Sequence, residues 1–221
     1  MGTNLTLKAS DGHSLSAYRA DPVGTPRAAV VVVQEIFGVN HHIRSICDRL
    51  AAEGYVAIAP ALFDRIEPNF QSGYSPEEVE VARGFIPKVD WAKVMLDMAV
   101  TVDEAAHVGK VGVIGFCLGG SVAYLAGVRL PVQTAICCYG GQIVKHADNA
   151  PKCPTQMHFG DKDHGIPLTD VEQIKAKRPE CEVNIYAAGH GFICDERASY
   201  DETSAKLAWS RSIDFLRKHL G

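Results

Sequence analysis

The segment Gly115-Phe116-Cys117-Leu118-Gly119 constrains the fold of this chain more than any other part of its sequence. It follows the apolar run Val111-Gly112-Val113-Ile114, which predicts a buried strand, and it precedes Ser121-Val122-Ala123-Tyr124-Leu125-Ala126, which predicts a helix. Glycines two positions before and after Cys117 allow a strand and a helix to approach each other closely. The pattern therefore predicts that Cys117 lies on a sharp, strained strand-to-helix turn.

Length and charge limit the classes of protein to which this chain can belong. It has 221 residues, which fits a single domain over residues 1–221. Hydrophobic residues make up 47% and charged residues 22%, an ordinary globular composition. The net charge is −4 and no cluster of Lys or Arg occurs, so we expect neither nucleic acid nor a membrane as a partner.

The cysteines and the N-terminal residues predict the compartment. The seven cysteines are an odd number and form no C-x-x-C pair, which argues against a disulfide framework and against a zinc ribbon. No ligand spacing for a metal appears elsewhere, so we expect no metal and no cofactor. The first residues lack a basic segment followed by an apolar one. We therefore expect a cytoplasmic protein with free thiols.

Hydrophobic patterning predicts strands that alternate with helices. Alternating residues on both sides of Asp11-Gly12 indicate a β-hairpin. Further strands are predicted at 28–33, 55–60, 110–114, 133–138, 156–160 and 183–186, and helices at 42–52, 91–107, 170–177 and 203–220. This order predicts an α/β protein with a mostly parallel central sheet and helices on both faces. The irregular segment 60–87, with a short helix that opens at Ser75, is interpreted as an insertion over the active site.

Three groups with complementary chemistry follow predicted strands. Cys117 follows the strand at 110–114, Asp163 lies after the strand at 156–160, and His190 lies after the strand at 183–186. Functional groups collect at the carboxyl ends of strands in open α/β sheets. A thiol needs a base to take its proton, and that base needs a carboxylate to hold its tautomer. The order Cys117, Asp163, His190 matches the nucleophile, acid and base of the α/β-hydrolase fold, whose elbow motif usually carries Ser.

Less specific interpretations exist for each of these groups. Cys117 could be a small buried hydrophobe, and His190 could be a satisfied loop histidine. Asp161 competes with Asp163, because both lie in a turn where Asp commonly makes local hydrogen bonds. We favour Asp163, since it lies later in the loop and can turn back over the elbow.

Taken together, several segments resemble the dienelactone hydrolase family over nearly the whole chain. They are Gln34-Glu35-Ile36-Phe37-Gly38, the elbow Gly-Phe-Cys-Leu-Gly-Gly at 115–120, the loop from Gly160 to Asp163, and Gly189-His190-Gly191-Phe192. A Glu beside the first loop combined with a Cys elbow is more specific than the elbow alone. Gly191 departs from the Ser that often follows the catalytic His, which leaves the substrate open.

The resemblance implies a role for each of eight residues. Cys117 would be the nucleophile, His190 the base and Asp163 the orienting acid. The amides of Ile36 and Leu118 would form the oxyanion hole. The family also implies a buried Glu35 that holds the resting thiol, and two arginines, Arg83 and Arg197, that bind a substrate carboxylate. Without the resemblance, Glu35 could be a surface residue at a strand end, and both arginines could be solvated helix charges.

These observations predict a hydrolase that acts on a small molecule, as a monomer or a small homo-oligomer. The leading hypothesis is the opening of a carboxylate-bearing enol-lactone, dienelactone to maleylacetate, through an acyl-thioester on Cys117. An esterase or thioesterase for another acyl substrate could use the same triad. A non-catalytic ligand-binding homologue and a redox-sensing thiol at Cys117 are further alternatives.

Overall fold

The computed structural model describes residues 2–221 of the chain. Strands and helices alternate along most of this length, which confirms the α/β class. The chain divides into two compact units, Met1–Val111 and Gly112–Gly221. The expectation of one domain over residues 1–221 stays a prediction. Within residues 2–221, every helix is too short or too polar to cross a membrane.

The first unit is built on strands that form both antiparallel and parallel pairs. They are β1 (Thr3–Lys8), β2 (Ser14–Ala20), β3 (Ala29–Val33) and β4 (Val56–Pro60), in the order β1-β2-β4-β3. β2 runs antiparallel to both β1 and β4, and β3 runs parallel to β4. The predicted hairpin is thus confirmed, with Gly12 at φ 87° in its turn. β3 and β4 are fully buried, as their unbroken apolar runs predict.

Side-chain caps set the starts of the three helices of this unit. These helices are α1 (His41–Ala52), α2 (Pro76–Arg83) and α3 (Trp91–Ala106). Asn40 accepts from the amide of Ile43 at the start of α1, and Asp90 accepts from two amides of the first turn of α3. Ser75 forms a reciprocal capping box with Glu78, which confirms the predicted start of the short helix.

The segment between β4 and α3 is more ordered than its sequence predicts. It contains two short 3-10 helices, Leu62–Arg65 and Ile86–Lys88, besides α2. An isolated bridge joins Gln71 to Gly38, and the amide of Ser72 donates to the carbonyl of Phe37. Gly38 has φ 75°, and a Cβ there would lie 2.0 Å from the carbonyl oxygen of Phe70. Only glycine therefore allows this close approach between the loop after β3 and residues 70–72.

The second unit is a run of parallel strands. β5 (Val111–Phe116), β6 (Thr134–Cys138), β7 (Thr155–Gly160) and β8 (Glu182–Tyr186) pair in sequence order. Its helices are α4 (Leu118–Arg129), α5 (Ile143–His146), α6 (Leu168–Lys177) and α7 (Glu202–Leu220). The pairs Phe116↔Cys138 and Gly160↔Tyr186 align the carboxyl ends of neighbouring strands. The loops that follow these strands therefore emerge at one edge.

Candidate active site

Cys117 occupies the predicted turn between β5 and α4. Its backbone has φ 55° and ψ −115°, a conformation that costs a non-glycine residue about 1–3 kcal/mol. Two glycines permit the tight turn. A Cβ at Gly115 would lie 1.9 Å from the carbonyl oxygen of Gly119, and a Cβ at Gly120 would lie 2.4 Å from that of Cys138. The thiol is half-buried, and the neighbouring glycines permit the strained backbone conformation that carries it.

Backbone hydrogen bonds anchor the elbow to the neighbouring strand and to α4. The amide of Cys117 donates to the carbonyl of Cys138 at 3.0 Å, and the Cys117 carbonyl accepts from the amide of Gly120 at 3.0 Å. Leu118 is the first residue of α4. The amides of a first helical turn have no partner within the helix. The Leu118 amide next to the thiol can therefore donate a hydrogen bond without any rearrangement of the helix.

Asp163 and His190 are in direct contact. His190 Nδ1 lies 2.7 Å from Asp163 Oδ2, and the other carboxylate oxygen of Asp163 accepts from the amides of Gly165 at 2.8 Å and Ile166 at 3.2 Å. Asp163 is only 6% exposed, whereas Asp161 points to solvent. The loop after β7 thus presents Asp163, not Asp161, to His190.

The electrostatics of this pair favour charge on both partners. Burial alone would raise the pKa of Asp163, but the hydrogen bonds from His190 and the two amides outweigh it and lower that pKa. Burial alone would lower the pKa of His190. The Cys117 sulfur and the Asp163 carboxylate, each hydrogen-bonded to the ring, outweigh burial and raise that pKa to about 10. Cys117, His190 and Asp163 thus form one connected chain of hydrogen bonds.

Tyr139 is a member of this site that the sequence analysis did not identify. It follows β6 directly, is fully buried, and has φ 39°. Its ring lies edge-on to His190 with centroids 5.1 Å apart, and 5.6 Å from the ring of Phe192. Its position at the carboxyl end of a parallel strand is the signal that could have found it. The ring of Tyr139 supports the imidazole from the side.

Arg197 lies against the residue that follows His190. A Cβ at Gly191 would be 2.2 Å from Arg197 Nη1, and Gly191 has φ 77°. The guanidinium therefore occupies the volume that any other residue at 191 would fill. The structure brings Arg197 to the His190 loop, beside the triad.

The remaining predicted residues lie in the first unit. Glu35 and Ile36 follow β3 and are 1% and 8% exposed, so Glu35 is not the surface residue of the alternative interpretation. Gln34 donates from Nε2 to the Glu35 carbonyl at 3.3 Å and accepts from the amide of Leu62 at 3.1 Å, which fixes the start of this loop. The gate role of Glu35 and the oxyanion role of Ile36 stay predictions.

Arg83 has the surroundings of a solvated helix charge. It lies in the last turn of α2 with its side chain 65% exposed, 3.9 Å from the carboxylate of Glu80. Such exposed pairs contribute about 0–1 kcal/mol to stability. A role for Arg83 at a substrate carboxylate stays a prediction.

Comparisons with known proteins identify the relatives of this chain. The family model for the dienelactone hydrolase family matches residues 15–220. A Synechocystis protein named as a candidate carboxymethylenebutenolidase is 37% identical, covering 95% of this chain and 94% of its own length. A carboxymethylenebutenolidase from Pseudomonas putida is 31% identical, covering 96% and 94%. The crystal structure of a candidate dienelactone hydrolase from Klebsiella pneumoniae has a TM-score of 0.85 and 31% identity, covering 98% of this chain and 99% of that one.

Proposed function

Because the chain belongs to the dienelactone hydrolase family and is a hydrolase with the α/β-hydrolase fold, we propose that it opens dienelactone to maleylacetate. Dienelactone is a small enol-lactone that carries a carboxylate, and the reaction would serve aromatic catabolism. The observation that carries the proposal is the 2.7 Å contact between Asp163 and His190, whose ring also bonds to the Cys117 sulfur. A thiol, a base and an orienting carboxylate in series are the parts that acyl transfer requires.

The first half-reaction forms an acyl-enzyme. His190, whose raised pKa favours the imidazolium, holds the proton of the Cys117 thiol, and the sulfur attacks the lactone carbonyl to form a C–S bond. The oxyanion accepts hydrogen bonds from the amides of Leu118 and Ile36. When the tetrahedral intermediate collapses, the ring C–O bond breaks and His190 protonates the departing enolate. The enol then becomes the ketone of the product.

The second half-reaction releases the acid. His190 takes a proton from water while the water oxygen attacks the thioester carbonyl. Collapse of this intermediate breaks the C–S bond and leaves a carboxylic acid, and His190 returns its proton to the Cys117 sulfur. Asp163 holds the imidazole in the tautomer that presents Nε2 to the thiol throughout.

Glu35 and the arginines tune this chemistry in the proposal. A buried carboxylate near a thiol opposes ionisation of that thiol, so Glu35 would keep the thiol unreactive until substrate arrives. The guanidinium of Arg197 offers a planar fork to the carboxylate of the lactone. Arg83 would contribute a second positive charge.

Hydrolysis of cis- and trans-dienelactone by the Cys117→Ala variant tests the nucleophile. We expect loss of turnover in a protein that still unfolds cooperatively, whereas Cys153→Ala, a half-buried thiol elsewhere in the same unit, should behave as wild type. Mass spectrometry after mixing with an activated ester should find one acyl adduct in wild type and none in Cys117→Ala. Wild-type turnover by Cys117→Ala would refute the assignment, and no adduct with no turnover on any ester would favour a ligand-binding protein.

The exposure of Arg83 supports a second candidate, an esterase or thioesterase for a neutral acyl substrate. The side chain of Arg83 is 65% exposed and lies 3.9 Å from Glu80, which weakens a two-arginine carboxylate clamp. Turnover of dienelactone and of a neutral aryl ester, each measured in wild type and in Arg197→Ala, distinguishes the lactonase from the esterase. Selective loss of dienelactone turnover supports the lactonase, and equal turnover of dienelactone by both proteins supports the esterase.

A cytoplasmic location remains part of the proposal. It rests on seven cysteines that are all free, as expected for a reducing compartment.

A further inference from the structure

A cavity of about 160 Å³ lies within the first unit, and the proposed chemistry does not use it. Strands β1 and β2 form one wall, and residues 69–71 with the loop after β3 form the other. Its lining combines apolar side chains, among them Val39 and Phe70, with polar ones, and the exposed amide side chains of Asn69 and Gln71 stand at the rim. The cavity thus offers both apolar contacts and polar groups to a ligand, as small-molecule sites do.

Arg44 supplies a positive charge to this cavity. It projects from α1, and its Nε donates to the carbonyl of Val39 at 3.1 Å. Its guanidinium carbon lies 5.3 Å from the centroid of the Tyr18 ring. These two contacts restrict the plane of the guanidinium, so less side-chain entropy is lost when a ligand binds.

No acidic side chain among residues 2–221 forms an ion pair with Arg44. The acid one turn along α1, Asp48, instead accepts a hydrogen bond from the Tyr18 hydroxyl at 2.8 Å. The nearby carboxylate of Asp64 is likewise engaged, by the amides of Ser16 and Asn69 at 2.7 and 2.8 Å. The two terminal nitrogens of Arg44 therefore keep hydrogen-bond donors for a ligand, on a cation that has no ion-pair partner among residues 2–221.

We propose that this cavity binds a small organic carboxylate through Arg44. The free edge of a guanidinium matches the two oxygens of a carboxylate. The volume limits the apolar part of the ligand, because a cavity of about 150 Å³ accommodates a benzene ring. Val39 and Phe70 would contact that apolar part, so a carboxylate with a flat hydrophobic body fits better than a bare inorganic anion.

The position of the cavity connects its ligand to the loop that carries Glu35 and Ile36. Val39 lines the cavity and its carbonyl accepts a hydrogen bond from Arg44, and the neighbouring Gly38 is bridged to Gln71. A bound carboxylate would contact both sides of this bridge. The ligand thus braces the segment that follows Ile36.

Titration of the ¹⁵N-labelled full chain with benzoate tests the proposal. We expect saturable shifts of the Ala17, Val39 and Phe70 amide signals. The dissociation constant for benzoate should be about tenfold higher or more in Arg44→Gln. Arg44→Lys, which keeps the charge but loses the fork, should lie between them. Arg49→Gln, on the exposed face of the same helix, should bind as wild type, and equal thermal midpoints would show that the variants fold.

Two further ligands serve as controls in this titration. Benzamide, which keeps the ring but not the charge, should bind about tenfold more weakly than benzoate, and inorganic phosphate should shift the same signals less. The absence of shifts near Arg44, equal binding by Arg44→Gln, or tighter binding of phosphate would each overturn the proposal. Shifts at Gly191 report separately on carboxylate binding beside Arg197, so failure of this site and failure of the proposed function are distinguishable.

Discussion

Asp163 Oδ2 lies 2.7 Å from His190 Nδ1, and this contact joins the loop after β7 to the loop after β8. The carboxylate is buried and is also fixed by two backbone amides, so it cannot turn away from the ring without losing three hydrogen bonds. The imidazole is held in one tautomer, with Nδ1 committed to Asp163. The other ring nitrogen is left for proton transfer.

Asp163→Asn should therefore lower kcat for ester or lactone hydrolysis by about 10³–10⁴-fold, because an amide can donate to Nδ1 and stabilise the wrong tautomer. Asp161→Asn, in the same loop but exposed, is the matched control and should retain kcat within about twofold. Steady-state kinetics of both variants on one substrate measure the difference. Equal losses in the two variants would remove Asp163 from the proposed triad.

The raised pKa of His190 makes the stability of the fold depend on pH. Its ordinary value of 6.5 rises to about 10 in the folded chain. A raised pKa stabilises the folded state fully below the unfolded value, and this stabilisation is lost as pH rises through the folded value. The advantage of wild type over His190→Gln in free energy of unfolding should thus be largest below pH 6.5 and should vanish near pH 10.

Urea unfolding of wild type and His190→Gln across this pH range measures that advantage. Because the Cys117 sulfur contributes to the shift, the titration midpoint of His190 observed by NMR should fall in Cys117→Ala. A midpoint that is the same in both proteins would show that the sulfur does not interact with the ring.

The close approach of α4 to the strand beside it makes Gly120 irreplaceable. A Cβ at 120 would lie 2.4 Å from the carbonyl oxygen of Cys138, a backbone atom that cannot rotate away. Gly120→Ala should destabilise the protein by about 1–3 kcal/mol and reduce turnover, because the elbow must shift. At Gly141 a Cβ would meet only side-chain atoms of Ile166 at 3.5 Å or more, so Gly141→Ala is the control and should change stability by about 0.5 kcal/mol or less.

Chemical denaturation and turnover, measured on the same preparations, compare these two alanine variants. A Gly120→Ala protein as stable as Gly141→Ala would mean that the turn accommodates a methyl group, contrary to the geometry.

The sequence was informative where chemistry follows directly from strand order. Parallel strands align their carboxyl ends, so the order Cys117, Asp163, His190 was enough to expect these residues at one edge. The start of α4 was predicted three residues too late, at Ser121 rather than Leu118, because the helix begins directly after the strained turn. Its glycines weaken the helical pattern there.

Other features depend on contacts that no sequence pattern encodes. Tyr139 carries no chemical signature, and only the pairing of β6 between β5 and β7 places its ring against His190. For Arg83, in contrast, the family resemblance suggests a role that its surroundings do not support. Its place in the last turn of α2 leaves the side chain mostly solvated. Long-range packing decides both cases.

Gly191 and Arg197 lead to the last prediction, which concerns substrate choice. Gly191→Ala would place a methyl group 2.2 Å from the present position of Arg197 Nη1, so the guanidinium must move. If Arg197 binds the substrate carboxylate, kcat/KM for dienelactone should fall by about tenfold or more, since a charged hydrogen bond contributes about 1.5–3 kcal/mol. A neutral aryl ester should be hydrolysed at nearly the wild-type rate.

The neutral ester also reports on the other effect of this substitution. Gly191 has φ 77°, so alanine there strains the backbone next to His190 and could disturb the triad itself. Equal losses for the lactone and the neutral ester would indicate that disturbance and not a loss of carboxylate binding. A double-mutant cycle then isolates the arginine. If Gly191→Ala acts by displacing Arg197, it should cost little further dienelactone activity in an Arg197→Ala background, whereas full additivity would show that the two residues act independently.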